Sequence, residues 1–301
     1  LQDKLDEFNP EIVYVHNTWF KASPGIFKTL EKTNAKVLLK LHNFRYDCTK
    51  SFKFKTHLKN KDSCLACGLR QNSSLFFNKY FQDSYLKSFF VLIYGKAYFK
   101  IMKNNNLKIL VLTNFHKNYL KNLGINESRL VTLPNFLNLG IMEGKDESDD
   151  YIIYAGRISE EKGVEELIKT FLKLPTTSTK LKIVGDGPLL NSLREKYKQK
   201  IIEFEGQIPN EKVHKLIYNS KAVVTATKLY EGQPMLLCEA SLMGVASIYP
   251  RSGGINEFFP QDSNLSFEQF NYVDLGEKMN LIIEGESVSQ EGERNKIFIQ
   301  D

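Results

Sequence analysis

Short apolar runs and longer amphipathic segments alternate along most of this 301-residue chain. The β-rich runs are Ile12–His16, Lys36–His42, Lys108–Thr113, Leu130–Leu133, Tyr151–Ala155, Leu181–Val184, Ile201–Phe204, Ala222–Ala226 and Val245–Ile248. Helical spacing falls between most of them, over Pro24–Lys32, Phe115–Leu123, Val164–Leu172, Leu189–Lys198, Glu211–Asn219 and Pro234–Met243. Alternation of this kind predicts an α/β fold, with parallel sheets covered by helices on both faces. Ligands of such sheets sit at the carboxyl ends of the strands.

Pro134–Asp150 breaks the pattern with Asn, Gly, Asp and Glu and no periodicity, as a linker does. The expected organisation is a first domain over 1–138, a linker over 139–150 and a second domain over 151–301. The first domain shows four strands where a doubly wound domain usually has more, and only a polar, helix-like piece precedes Ile12. It is therefore expected to be incomplete at its start. Two stretches interrupt the alternation. Asn43–Ser74 reads as a long loop, and Leu75–Lys103 reads as helix, rich in Phe and Tyr with interleaved lysines. Two readings of the aromatic run stand: helices packed on the core and in an interdomain cleft, or a surface helix that docks on anionic lipid.

The length fits about two domains. Hydrophobic content of 42% and charged content of 25% are those of a globular chain with a real core. No apolar run reaches the roughly 18–20 residues of a membrane span. The start, Leu1-Gln-Asp-Lys-Leu-Asp-Glu, lacks a signal-peptide layout. The net charge of +6 hides an asymmetry: residues 1–140 hold 22 Lys+Arg against 9 Asp+Glu, and residues 141–301 hold 19 against 26. The basic half suits an anionic membrane face or a phosphorylated acceptor. No nucleic-acid recognition motif accompanies it.

The four cysteines are too few and scattered for a disulfide scaffold, which points to a reducing cytoplasm. Cys48, Cys64 and Cys67 form half of a zinc-like spacing, with His57 as a fourth ligand, but reduced thiols in a loop are the preferred reading. No Asp-x-Asp is present to hold Mg²⁺ on a diphosphate, so metal-dependent catalysis is not expected.

Candidate chemistry gathers at the strand ends. Tyr151–Ala155 runs into Gly156-Arg157 and then Lys162-Gly163 before a helix. A guanidinium fork and an ammonium at a glycine turn can clamp a diphosphate, although taken alone the two read better as solvated loop cations. Leu181–Val184 runs into Gly185-Asp186-Gly187-Pro188, either a tight turn or a close approach of backbone to ligand. Glu231-Gly232-Gln233-Pro234 opens a helix that carries Glu239, and the start of such a helix is a ready seat for phosphate. Carboxylates beside a phosphate seat suggest a ligand that also carries hydroxyls, as a nucleotide sugar does. Ser252-Gly253-Gly254 follows another strand and argues for a close backbone approach. His42-Asn43 and His16-Asn17 put imidazoles at strand ends, where a lone histidine is more often structural than catalytic.

The order Gly-Arg…Lys-Gly, Gly-Asp-Gly-Pro, Glu-x7-Glu and Ser-Gly-Gly-Ile-x-Glu over 151–260 resembles the retaining family-4 glycosyltransferases of the GT-B fold. Pro10–Asn17, Ser23-Pro24, Leu41-His42-Asn43 and Pro134-Asn135 extend the resemblance to the first half. It implies two Rossmann-like domains facing a cleft, the first binding the acceptor and the second a UDP- or GDP-sugar. It further implies that Arg157 and Lys162, at the Gly156 turn, hold the diphosphate and stabilise its leaving charge. Glu239 would bind the ribose, and Glu231 would face the transferred sugar. Gly232, Gln233 and Pro234 would contact sugar or phosphate through their backbone, with Gly185 in the donor set. Gln207 and Ile208 would meet the base, and His42 would reach the sugar from the first domain.

The reaction so implied retains configuration, the departing diphosphate taking the acceptor's proton, with no cofactor required. A hexose would pass to a saccharide or lipid-linked acceptor in surface polysaccharide or glycolipid synthesis, in the cytoplasm or on the inner face of the plasma membrane. The alternatives are a nucleotide-sugar-binding protein without turnover and a nucleotide-sugar epimerase. The sequence departs from the family where His42-Asn43 replaces His-Asp and where Glu231-Gly232-Gln233 replaces Glu-Gly-Phe. The family's first strand with its Gly-rich loop, and its final helix crossing back onto the first domain, have no match. Truncation at both ends, with an effect on activity, is therefore expected.

Overall fold

The computed structural model describes residues 1–16, 23–44, 46, 84–104, 107–137, 139, 144, 150–175, 178–285 and 288–300. The chain divides into two compact units, Leu1–Asn135 and Phe136–Asp301. Most of the expected linker, and with it Cys48, Cys64, Cys67 and His57, lies outside the described residues.

The first unit is built on a parallel sheet of β1 (Ile12–His16), β2 (Lys36–Lys40), β3 (Lys108–Val111) and β4 (Leu130–Thr132), in that spatial order. Its described helices are α1 (Gln2–Phe8), α2 (Gly25–Leu30), α3 (Tyr85–Asn104) and α4 (Asn114–Asn122). Leu39, Ile109, Val111 and Leu120 are fully buried at its centre, and Phe27 of α2 meets Tyr98 of α3 edge-on at 6.1 Å. Arg129 closes the end of α3. Its guanidinium donates to the carbonyls of Met102 at 2.8 Å, Lys103 at 2.9 Å and Leu107 at 3.0 Å. A cation there satisfies carbonyls left over by the helix and complements its dipole. Thr113 caps α4, its hydroxyl accepting from the His116 amide at 3.2 Å.

The second unit contains β5 (Tyr151–Ala155), β6 (Lys180–Val184), β7 (Ile202–Gly206), β8 (Ala222–Val224), β9 (Ala246–Arg251) and β10 (Ser266–Glu268), all parallel. Their order is β10-β9-β8-β5-β6-β7. The chain winds outward from β5 to β7, then crosses back and winds the other way from β8 to β10. The order therefore reverses between β5 and β8, the place where doubly wound sheets hold their ligands.

Side chains of β5 alternate between two cores. Ile152 and Tyr154 join α5 (Val164–Phe171), α6 (Leu190–Lys196) and α9 (Tyr272–Ile283) on one face. Tyr151 and Ile153 join α7 (Asn210–Asn219) and α8 (Met235–Leu242) on the other. Both faces being covered explains why β5 is apolar at every position.

The expected strands appear with ends shifted by at most three residues. The elements that pattern reading passed over lie near the C-terminal end: β10, α9 and α10 (Val288–Gln300). No helix among the described residues is long and apolar enough to cross a membrane.

Candidate functional site

A cavity of about 310 Å³ opens at the β5/β8 switch point of the second unit. Its wall is made by the end of β5, the Gly156-Arg157 turn, Lys162, Thr225 and Thr227 after β8, Glu231, and Gln233 to Leu237 at the start of α8. Each piece is held by backbone and side-chain contacts between these loops. The Gly156 amide donates to Val184 at 2.9 Å, and the Ile158 amide to Asp186 at 2.9 Å, so the loops after β5 and β6 are laced together. Tyr154, buried beneath them, donates its hydroxyl to the Arg157 carbonyl at 2.8 Å. Burial, and then the charges of Glu231 and Glu161, push its phenol pKa upward, so it stays a neutral donor.

Arg157 is exposed and, among the described residues, its guanidinium has no protein partner. Lys162 instead pairs with Glu231, Nζ to Oε1, at 2.6 Å. The same oxygen accepts from the Thr227 hydroxyl at 3.0 Å. The loop carrying Glu231 is tied from behind: Ser252 donates to the Leu229 carbonyl at 2.9 Å, and the Gly254 amide to the Glu231 carbonyl at 2.9 Å. Gly253 explains itself here, at φ 61, because a Cβ would fall 2.5 Å from that same carbonyl. The close approach expected at Ser252-Gly253-Gly254 is thus to the Glu231 backbone. The cavity wall also includes the first turn of α8, whose N–H groups lie outside the helical ladder and carry the positive end of the dipole.

The structure brings Gly156, Arg157, Lys162, Glu231, Gln233 and Pro234 to the cavity wall. Gly232 is buried between two of them. Gly185 is off the wall, and a Cβ on it would lie 1.9 Å from the Gly156 carbonyl, so its glycine is accounted for by loop-on-loop packing. Gln207 and Ile208 follow β7, two strands over from β5; Gln207 is exposed and Ile208 packs on the core. Glu239 sits within α8, off the wall and half-buried, with Oε2 at 3.6 Å from Nε2 of His214 on α7. Burial raises its pKa, against the opposing pull of His214. Cys238 beside it is no nucleophile, since burial pushes its thiol up to about 12.

His42 belongs to the first unit. Its Nε2 lies 3.0 Å from Nδ1 of His16, the two rings stacked at 5.3 Å. Burial, and then the charges of His16 and Lys40, lower its pKa, so it is neutral near pH 7. Sequence reading did not pick out Thr227, Tyr154 or His214 as site residues. Tyr154 and Thr227 act on partners three and four residues on, Arg157 and Glu231, in turns that carry no periodic signal, and His214 meets Glu239 only through the packing of α7 on α8.

Two parallel α/β units, one of them with this strand order and a cavity at its switch point, are of the GT-B type of fold. The structure is similar to Staphylococcus aureus TarM, solved with fondaparinux, α-GlcNAc-glycerol and UDP, with a TM-score of 0.68 and 17% identity. That likeness covers 99% of this chain and 54% of TarM. The profile of the Glycosyl transferases group 1 family matches residues 142–299, and the chain belongs to that family. It is 29% identical over 150 residues to the amylovoran biosynthesis glycosyltransferase AmsD of Erwinia amylovora, covering 47% of this chain and 42% of AmsD. It is 31% identical over 122 residues to the lipopolysaccharide 1,2-N-acetylglucosaminetransferase of Salmonella typhimurium, covering 36% of this chain and 32% of that enzyme. The chain therefore matches less than half the length of either curated relative.

Proposed function

We propose that this chain acts as a retaining, metal-independent hexosyltransferase, moving a sugar from a UDP- or GDP-sugar to a saccharide or lipid-linked acceptor in surface polysaccharide or glycolipid synthesis. The observation that carries the reading is the convergence of Arg157, Lys162, Glu231 and the start of α8 on one cavity at the switch point. Two cations and a helix N-terminus suit a diphosphate, and a carboxylate suits sugar hydroxyls. The same groups stabilise the charge that grows on the diphosphate as it leaves. The names of the two relatives, in amylovoran and lipopolysaccharide synthesis, support the substrate class, and the UDP in the TarM complex supports the donor class.

Retention by a carboxylate nucleophile would require two carboxyl groups roughly 5 Å apart across one bond. Among the residues of the cavity wall Glu231 is the only carboxylate, which favours attack on the face the diphosphate leaves, a phosphate oxygen taking the acceptor's proton. Glu239 serves the ribose and His42 the sugar in this reading. The exposed face of α3 serves as the contact with an anionic membrane, on its inner side. Replacing Glu231 or Glu239 by Ala should lower label transfer from donor to acceptor by at least about a hundredfold. Full transfer in both variants would sink the assignment.

A further inference from the structure

Lys162 does not present its whole charge to the cavity. Its ammonium is 2.6 Å from Oε1 of Glu231, with the two side chains 29% and 21% exposed. Glu231 has little freedom to swing aside. Thr227, 2% exposed, donates to the same oxygen, while its own hydroxyl accepts from the Leu229 amide at 3.2 Å. The Glu231 carbonyl is fixed by Gly254, and Gly253 packs against it. Lys162 is anchored too, closing a short 3-10 turn with its amide on Ser159 at 3.1 Å. A carboxylate is therefore held by two donors on one oxygen, from an anchored backbone, in the wall of a cavity otherwise furnished to attract anions. A site meant only to hold a diphosphate would bind better without it.

We propose that Glu231 makes this cavity discriminate between a nucleoside diphosphate that still carries its sugar and one that has lost it, so that the spent nucleotide is released. This rests on the reading of the cavity as a nucleotide-sugar site. With the sugar attached, its hydroxyls donate to the carboxylate, and the terminal phosphate is esterified and less charged. Once the sugar has left and the proton taken from the acceptor has passed to solvent, the bare phosphate carries more charge, meets the carboxylate without intervening donors and competes with it for Lys162. Like charges a few ångström apart at a partly buried site repel well beyond thermal energy.

Calorimetric titration with UDP, GDP, UDP-glucose and GDP-glucose, on the wild type, Glu231→Gln and Arg157→Ala, tests the claim. Whichever bare diphosphate the wild type binds should bind Glu231→Gln roughly tenfold tighter. The glucose conjugate should not share that gain, so the preference for the sugar-bearing ligand collapses. Glu231→Ala removes the same charge with a different side chain, and thermal unfolding checks that each variant is folded. Bare-diphosphate binding that is unchanged or weaker in both folded variants overturns the proposal; if Arg157→Ala still weakens binding, the reading of the cavity survives. A wild type that binds none of the four probes overturns that reading, and the proposal with it.

Discussion

His116 and Glu239 are ionisable side chains set where the fold opposes their charge. His116 is fully buried, its Nε2 2.7 Å from the Tyr46 hydroxyl and its ring against Phe44 at 4.3 Å. Burial, and then the charge of His42, hold its pKa down to about 3. In the unfolded chain it takes a proton near 6.5. The native first unit resists that proton, so its stability is full above about pH 6.5 and declines as the pH falls toward 3. Between pH 6.5 and 5 the loss should come to roughly 2 kcal/mol. Urea unfolding of the first unit at the two pH values measures it; His116→Gln should be less stable at neutral pH but lack the acid loss. Equal acid losses in both proteins would refute the account. Glu239 has the opposite sign, since its raised pKa means that it protonates at a higher pH than an ordinary glutamate. These environments were not legible in the sequence. His116 and Tyr46 are 70 residues apart, and Lys162 and Glu231 are 69 apart. The motifs singled out Lys162 and Glu231 separately, and only the fold makes them a pair.

Elements were legible where packing leaves a periodic trace. The run Tyr151–Ala155 announces a strand covered on both faces, and Val164, Leu167, Ile168 and Phe171 mark the buried face of α5. Helix α10 leaves no such trace, because the residues it buries are Glu291, Gly292 and Asn295. Gly292 is required there, as a Cβ would meet the Gly244 carbonyl at 2.0 Å. In α3 the sequence left two readings open, and the helix has one buried face and one exposed face. Val91, Tyr98 and Met102 are buried, while Leu86, Phe89, Phe90 and Ile93 are exposed in the first turns, Ile93 at 48% being the least. Lys96 and Lys100 continue that outer face, and α3 has no acidic residue. An aromatic patch followed by lysines suits anionic lipid. Co-sedimentation with phosphatidylglycerol vesicles, but not with phosphatidylcholine vesicles, is the expected outcome. Phe90→Glu together with Lys100→Glu should weaken it at least about tenfold. Equal binding to neutral vesicles, or none to anionic ones, would remove the membrane from the reading.

The molecule as a whole is two parallel α/β units whose sheets differ in kind. In the second, the strand order reverses, and the reversal creates the cavity at which Arg157, Lys162 and Glu231 meet. In the first, the described strands run in one order without a reversal, and the histidine pair sits at their carboxyl ends. That division matches the charge asymmetry in the sequence, where the half bearing an acidic surplus also bears the residues suited to a nucleotide sugar. The family's motifs made the second unit readable in outline. They did not reveal that Gly185 serves loop packing or that Glu239 leans on His214. The most direct test of the central claim is diffraction from crystals grown with UDP-glucose or GDP-glucose. The account predicts a diphosphate between Arg157 and the first turn of α8, with the sugar beside Glu231. Nucleotide bound elsewhere on the chain, with this cavity empty, would contradict it.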